Sequence, residues 1–465
     1  MHQRPTSPLA VHRAGLNAKA NAPRVVLATL LLVAWKLPTL ASGDAAGLFL
    51  RAVKLIPLWL VLGGLLMSRR TRWVWPNRVA LTLLFLTAVM IEVALVRSIG
   101  GSILSVREVI QQTAQWATFA AVGAALFWAD GDDDRQQAGR LLVMAIGGYV
   151  GANLLMDQVG LVNPEPQAGA ADAQLALLLG VHRARVVFPL SDGLNNFGTI
   201  AGAAILGGMM LCFARNAHIT WRIAGLATFI AGVLAIVGTD SRALALAALI
   251  VGMTIGFCPR RKMWLVAVAA LVVTISTPLV ATRLSSGLDL GDQFLRVSRS
   301  PGDFATLNNR STIWGAGLDV VLSGDAGLFG YGAYGQTVSG ASMSYEGLFG
   351  LGAEGRNTLH NMVLQYFLDT GYAGAILVAT LVTLALSLQM RLISGTHSAS
   401  RIPMALLIYL VIAGITESVG TIYLQESFVL ATLVVMASVV TALNGHAPPR
   451  WRTSAADRPR DLEAR

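Results

Sequence analysis

The sequence is short of charge: only 13% of its 465 residues are Asp, Glu, Lys or Arg, against roughly 25% in a soluble domain. With 54% apolar residues and a mean hydropathy of +0.61, water is not the main solvent of the chain. Cysteine is nearly absent. Cys212 and Cys258 each end an apolar stretch beside a basic cluster, which points to a reducing compartment and to no disulfide. Metal-ligand spacing is lacking as well: His2, His12, His182, His218, His397 and His446 form no ligand pattern with His360, and there is no Cys/His cluster, so no metal is expected. A serine-nucleophile elbow is missing. The glycine-rich run Gly327 to Gly335 lacks the Lys and the strand-to-helix setting of a nucleotide-binding loop, and no cofactor is expected. No internal repeat occurs at a fixed period.

Long apolar runs are what the chain has in quantity. A bilayer-spanning helix needs about 20 mostly apolar residues. Runs bounded by charge, Gly or Pro predict spans near 25–41, 53–67, 79–96, 109–129, 140–159, 197–214, 222–238, 243–258, 263–282, 371–389, 402–416 and 427–443. The expected fold class is therefore all-α integral membrane, with about 12 transmembrane helices. Residues 1–24 carry Arg4, Arg13, Lys19 and Arg24 without an acid, and the apolar run that follows reads as a retained first span rather than a cleaved signal.

The net charge of +10 is not a nucleic-acid signature, because the basic residues cluster between spans. The N-terminal tail, Arg69 to Arg72, Arg215 with Arg222, Arg260 to Lys262, Arg391 with Arg401, and the tail after 446 all fall on one face. The positive-inside rule makes that face cytoplasmic. Only the loop from Asp130 to Arg140 breaks the pattern, and acids count little in the rule. The domain reading that follows is a cytoplasmic tail at 1–24, helices 1–9 over 25–282 with a periplasmic loop near 160–196, and a large periplasmic loop subdomain at 283–370. Helices 10–12 follow over 371–443, and a cytoplasmic tail at 444–465, rich in Pro and charge, is expected to be disordered. Long loops are where function is sought. Within the larger one, Ile313, Trp314, Leu318, Val321 and Leu322 share a helical face, which predicts a folded, membrane-hugging subdomain.

On this topology Arg183, Arg185, Arg242, Arg283, Arg296, Arg299, Arg310 and Arg356 lie on the side that the positive-inside rule disfavours. Arg242 is the sharpest case, in a very short turn between two apolar spans, where charge is costly unless it meets a cavity or a partner. An arginine offers a permanent charge and a planar fork of donors suited to phosphate. The competing reading of Arg242 is a salt bridge to Asp240 or a reach to lipid headgroups; for Arg183, Arg296, Arg299 and Arg356 it is a solvated surface role. His360 precedes an apolar, helix-like run, so its imidazole is expected in a helix's first turn, where the macrodipole disfavours the protonated form and leaves a neutral base; the competing reading, favoured for a histidine taken alone, is a structural or interfacial residue.

His360-Asn361, nine residues, Gly371, two residues and Gly374 resemble the H-N-x9-G-x2-G signature of the O-antigen ligase and Wzy-type polymerase family of membrane glycosyltransferases. Thr239-Asp240-Ser241-Arg242 is similar to that family's Ser-Arg element, and Asn309-Arg310-Ser311-Thr312-Ile313-Trp314 to its Arg-x-x-x-Trp element, in family order. The resemblance implies a metal-independent, inverting enzyme of the C-type superfamily in the bacterial inner membrane, active at the periplasmic face. Its donor would be an undecaprenyl-diphosphate-linked glycan and its acceptor a glycan or lipid A-core. It implies that Arg242 and Arg310 bind the donor diphosphate, that His360 activates the acceptor hydroxyl, and that Ser241, Trp314, Asn361, Gly371 and Gly374 support them. Arg185 is a further candidate phosphate contact without a motif. Glu417 and Glu426, flanking the last periplasmic turn, either orient acceptor sugar or pair with arginines. Polymerase, ligase and protein O-oligosaccharyltransferase remain open within the family. A lipid-linked glycan flippase is the competing class, disfavoured by mostly uncharged spans and the missing repeat.

Overall fold

The computed structural model describes residues 78–101, 103–127, 132–163, 173–178, 180, 182, 184–214, 217–285, 310–349, 358–393, 399–420, 422 and 426–443. The spans expected near 25–41 and 53–67, both tails, and Arg183, Arg296, Arg299 and Arg356 lie outside these residues. Every other expected span falls on a helix: α1 Arg78–Gly100, α2 Val106–Phe127, α3 Asp132–Gln158, α4 Leu194–Cys212, α5 Ile219–Thr239, α6 Arg242–Phe257, α7 Met263–Ser285, α9 Met362–Leu392, α10 Ile402–Ala413 and α11 Glu426–Leu443. An additional helix, α8, spans Arg310–Ser323 inside the larger loop.

Six of these helices are long and apolar enough to cross a membrane: Thr82–Gly100, Gln136–Gln158, Leu194–Cys212, Ile219–Thr239, Met263–Arg283 and Met362–Arg391. Helices α6, α10 and α11 are apolar but shorter. Their surroundings fit a lipid solvent. Ile223, Leu226, Ile230 and Leu234 of α5, with Leu246, Ile250 and Met253 of α6, are exposed, an apolar surface that water would penalise and hydrocarbon accepts. Helix α10 stands at the centre, buried along nearly its whole length.

Small residues set how closely the helices approach. A Cβ on Gly208 of α4 would come within 2.5 Å of the Phe229 nitrogen on α5, and one on Gly232 within 2.8 Å of the Ala201 oxygen on α4. The two backbones therefore touch through a glycine seam, the packing that substitutes for a hydrophobic driving force in lipid. At the end of the bundle carrying Cys258, Arg401 donates through Nη1 to the carbonyls of Ile255 at 2.8 Å and Cys258 at 3.2 Å. Arg401, counted among the basic residues of one face, is thus buried and caps α6, because the last carbonyls of a helix need donors.

Helix α8 and the residues after it share a separate apolar cluster with the start of α9. Ile313, Trp314, Leu318 and Val321 of α8 pack with Tyr345, Leu359, Leu364 and Leu368. Leu322, read as part of the same face, is instead 70% exposed, since the residue after Val321 turns outward on a helix. Replacing Gly208 with Leu should wedge α4 from α5 and lower the melting temperature of the detergent-solubilised protein. Gly256→Ala should leave it unchanged or slightly raised, because nothing lies within 4 Å of its Cβ position and a helical glycine costs up to about 1 kcal/mol relative to alanine.

Candidate active site

Three segments meet at the end of the bundle opposite Arg401: the start of α8, the residues before α9, and the turn between α10 and α11. The Arg310 Nη2 donates to Glu417 Oε1 at 2.8 Å, and Glu417 Oε2 stands 3.5 Å from His360 Nδ1. One carboxylate thereby joins two of the residues singled out in the sequence. The arginine and histidine side chains are 16% and 22% exposed, and the Glu417 side chain 8%, so the cation and the imidazole line the surface of the site with the carboxylate beneath them. Burial pushes the Glu417 carboxyl upward, but the Arg310 guanidinium and His360 outweigh it and hold the pKa below the ordinary carboxylate value.

The backbone explains why these groups meet. His360 does not occupy a helical first turn. Helix α9 begins at Met362, with Asn361 as its cap, and His360 precedes the cap in the left-handed region at φ 48°, a conformation rare in residues other than glycine. The imidazole is consequently oriented by Glu417 rather than by a helix terminus. Asn361 fixes the connection: Oδ1 accepts from the Leu364 N–H at 3.0 Å, and Nδ2 donates to the Ile415 carbonyl at 3.0 Å. The Met362 N–H donates to the Gly414 carbonyl at 2.8 Å, and the Tyr366 hydroxyl donates to the Gly420 carbonyl. Three of these bonds thus tie 361–366 to the turn that carries Glu417, and the fourth caps α9.

The two motif glycines have different tasks. Gly371 interrupts α9 at φ 64°, ψ −165°, and a Cβ there would come within 2.4 Å of the Gly330 nitrogen. The glycine-rich stretch docks on this break through Tyr331 N–H to Leu368 O at 2.7 Å, Gly332 N–H to Asp369 O at 3.0 Å and Ala373 N–H to Leu328 O at 3.0 Å. Gly374 faces the Thr370 hydroxyl at 2.1 Å from its Cβ position. Helix α9 thus begins before the span expected near 371–389, and the expected start coincides with the break. Beside it, Gln365 donates to Gln336 Oε1 at 2.6 Å and Asp369 Oδ1 at 2.9 Å, and Asp369 Oδ1 also accepts from the Gly335 N–H at 2.9 Å. Trp314 is fully buried and holds the helix that presents Arg310.

Arg242 and Arg185 form a second cluster. Asp240 ends α5 in the left-handed region at φ 56°, and its Oδ1 lies 3.7 Å from Arg242 Nε and accepts from the Leu175 N–H at 3.1 Å. The salt bridge weighed for Arg242 is therefore present, while the arginine side chain keeps 23% exposure. Arg185 donates through Nε to the Thr239 carbonyl at 3.3 Å, which places it on the same turn. Ser241 precedes α6 without a side-chain capping bond and packs against Gly198. Arg283, at the end of α7, is exposed.

Residues 226–379 match the family model described as O-antigen ligase. This segment is an O-antigen ligase/polymerase family domain. The family implies O-antigen ligase or polymerase activity in polysaccharide biosynthesis, with lipid-linked glycan and polysaccharide substrates in a membrane. No curated protein matches the chain. The matched segment of the O-antigen ligase family contains Arg242, Arg310, His360, Asn361, Gly371 and Gly374 but stops short of Glu417. For Glu417 the pairing with an arginine is the reading the contacts favour, and its sequence signal was an acid inside a turn bounded by apolar spans. Glu426 is fully buried, accepts from the Tyr149 hydroxyl and from the Asp192 N–H, and serves to join α11 to α3 and the start of α4. Among the described residues no group of three or more His, Cys, Asp or Glu could hold a metal ion, and both cysteines are free thiols.

Removing Arg310 as Arg310→Gln should cost roughly 3–5 kcal/mol in thermal stability, because it leaves the Glu417 charge buried without its main partner. Since the folded pKa of Glu417 is depressed from 4.5, the ion pair contributes fully above that value and is lost as pH falls through the lower folded value. Acid melting curves of the wild type should accordingly fall more steeply below pH 4.5 than those of Glu417→Gln. Gly371→Ala should expose the 327–335 stretch to limited proteolysis; Gly374→Ala should do so less, since its Cβ would meet the Thr370 side chain within α9 rather than the backbone of that stretch.

Proposed function

We propose that the protein transfers glycan from an undecaprenyl-diphosphate-linked donor to a sugar hydroxyl at the periplasmic face of the inner membrane, as an O-antigen or exopolysaccharide polymerase or an O-antigen ligase. The observation that carries this reading is the juxtaposition of a part-exposed imidazole and a part-exposed guanidinium, His360 and Arg310, on one buried carboxylate. A sugar hydroxyl is a weak nucleophile that needs a positioned base, whereas a diphosphate leaving group needs its charge stabilised. His360 takes the first task. Arg310 takes the second with Arg242, whose side chain is likewise part exposed, and Arg185 braces the Arg242 turn as a further phosphate contact. In-line displacement inverts the anomeric centre and uses no metal.

The test uses purified full-length protein with undecaprenyl-diphosphate-linked glycan. His360→Ala should insert normally and lower turnover by about 10²–10⁴-fold. Arg242→Ala should raise the donor KM and slow release of carrier diphosphate. Wild-type turnover in both variants would refute the site. Gel analysis of product length and acceptor then separates polymerase from ligase.

A further inference from the structure

The groups assigned to the two halves of the reaction share a single carboxylate. Glu417 reaches Arg310 with Oε1 at 2.8 Å and His360 with Oε2 at 3.5 Å. Its own side chain is 8% exposed, less than either partner, so it is the least open of the three to a substrate lying on Arg310 and His360. The turn that carries it is bonded to the residues following His360 by Asn361, Met362 and Tyr366. Gly414 permits that close approach, because a Cβ there would meet the Met362 side chain at 2.9 Å. The left-handed backbone of His360 is a strained conformation that persists only where surrounding structure imposes it. Here it aims Nδ1 at the carboxylate.

We propose that Glu417 is the positioning residue of this site: Oε2 holds His360 with its proton on Nδ1, leaving Nε2 as the base for the acceptor, while Oε1 fixes Arg310 relative to that base. This rests on the glycan-transfer reading given above. As the acceptor O–H bond breaks, its proton passes to Nε2. The acceptor oxygen bonds to the anomeric carbon, and the bond from that carbon to the diphosphate oxygen breaks, its electron pair leaving on the diphosphate. Glu417 stays ionised throughout and stabilises the imidazolium that forms, as a buried carboxylate does behind a catalytic imidazole. Among the described residues, the charged and titratable groups facing the carboxylate are Arg310 of α8, His360 before α9 and Tyr409 of α10. The 2.8 Å and 3.5 Å contacts show the carboxylate leaning toward the arginine. A donor diphosphate drawing on the same guanidinium would shift it toward the histidine, tying the position of the base to donor occupancy.

The experiment measures kcat, donor KM and acceptor KM, with the pH dependence of kcat, for the wild type, Glu417→Gln, Glu417→Asp and His360→Ala in full-length protein. Glu417→Gln should lower kcat about 100-fold, move the acid limb of the kcat profile to lower pH, and change donor KM by less than about threefold. Glu417→Asp should restore part of kcat and return the limb toward the wild-type position. Loss of kcat with an unmoved limb would overturn the proposal and leave the carboxylate as a support for Arg310 alone. A rise in acceptor KM with kcat retained would overturn it in favour of a sugar contact, and failure of both Glu417 variants to insert would make the residue a folding element. Wild-type turnover in His360→Ala would instead sink the glycan-transfer reading itself, whatever Glu417 does.

Discussion

A carboxylate buried at the end of an apolar helix bundle must be neutralised, and the way Glu417 is neutralised organises everything around it. Taking a charge out of water costs more than any single hydrogen bond returns. Glu417 therefore needs a cation in contact, and Arg310 supplies it at 2.8 Å. That requirement fixes the start of α8 against the turn between α10 and α11. The second carboxylate oxygen then meets His360, whose position is set independently by the Asn361 cap and its bond to Ile415. Two segments from the larger loop and one from the far end of the chain are locked together by one charge balance.

Backbone contact between glycines does the corresponding work away from the charges. The seam of α4 and α5 at Gly208, Gly225 and Gly232, and the docking of Gly330 on Gly371, both leave no room for a Cβ. In the first case close approach maximises van der Waals contact where lipid offers no hydrophobic drive. In the second, a break in α9 exposes backbone groups that the glycine-rich stretch satisfies, so a loop with few large side chains still has a defined place. The motif glycine is thus part of the scaffold that positions the residues before α9.

The spans and the motif residues were legible because their signals are local. A run of apolar residues must be helical in lipid to satisfy its own backbone, and every expected span on the described residues is helical, although six meet the length and hydropathy needed for crossing. His360, Arg310 and Arg242 stood out by chemistry and spacing. Less legible was what each residue touches. His360 was expected inside a helical turn and lies before the cap, because Asn361 takes the capping role. Arg401 counted in the sequence only as a basic residue of one face, and the fold buries it on two carbonyls.

By itself the sequence determined the all-helical, apolar character of the chain and the small set of groups with chemistry to offer, since hydropathy, helical period and motif spacing are properties of neighbours along the chain. Only the tertiary structure decided that Glu417, 57 residues beyond His360 in sequence, is the partner common to His360 and Arg310. The physical reason is that a buried charge is balanced by whatever the fold brings within contact distance, and no local pattern records which residue that will be.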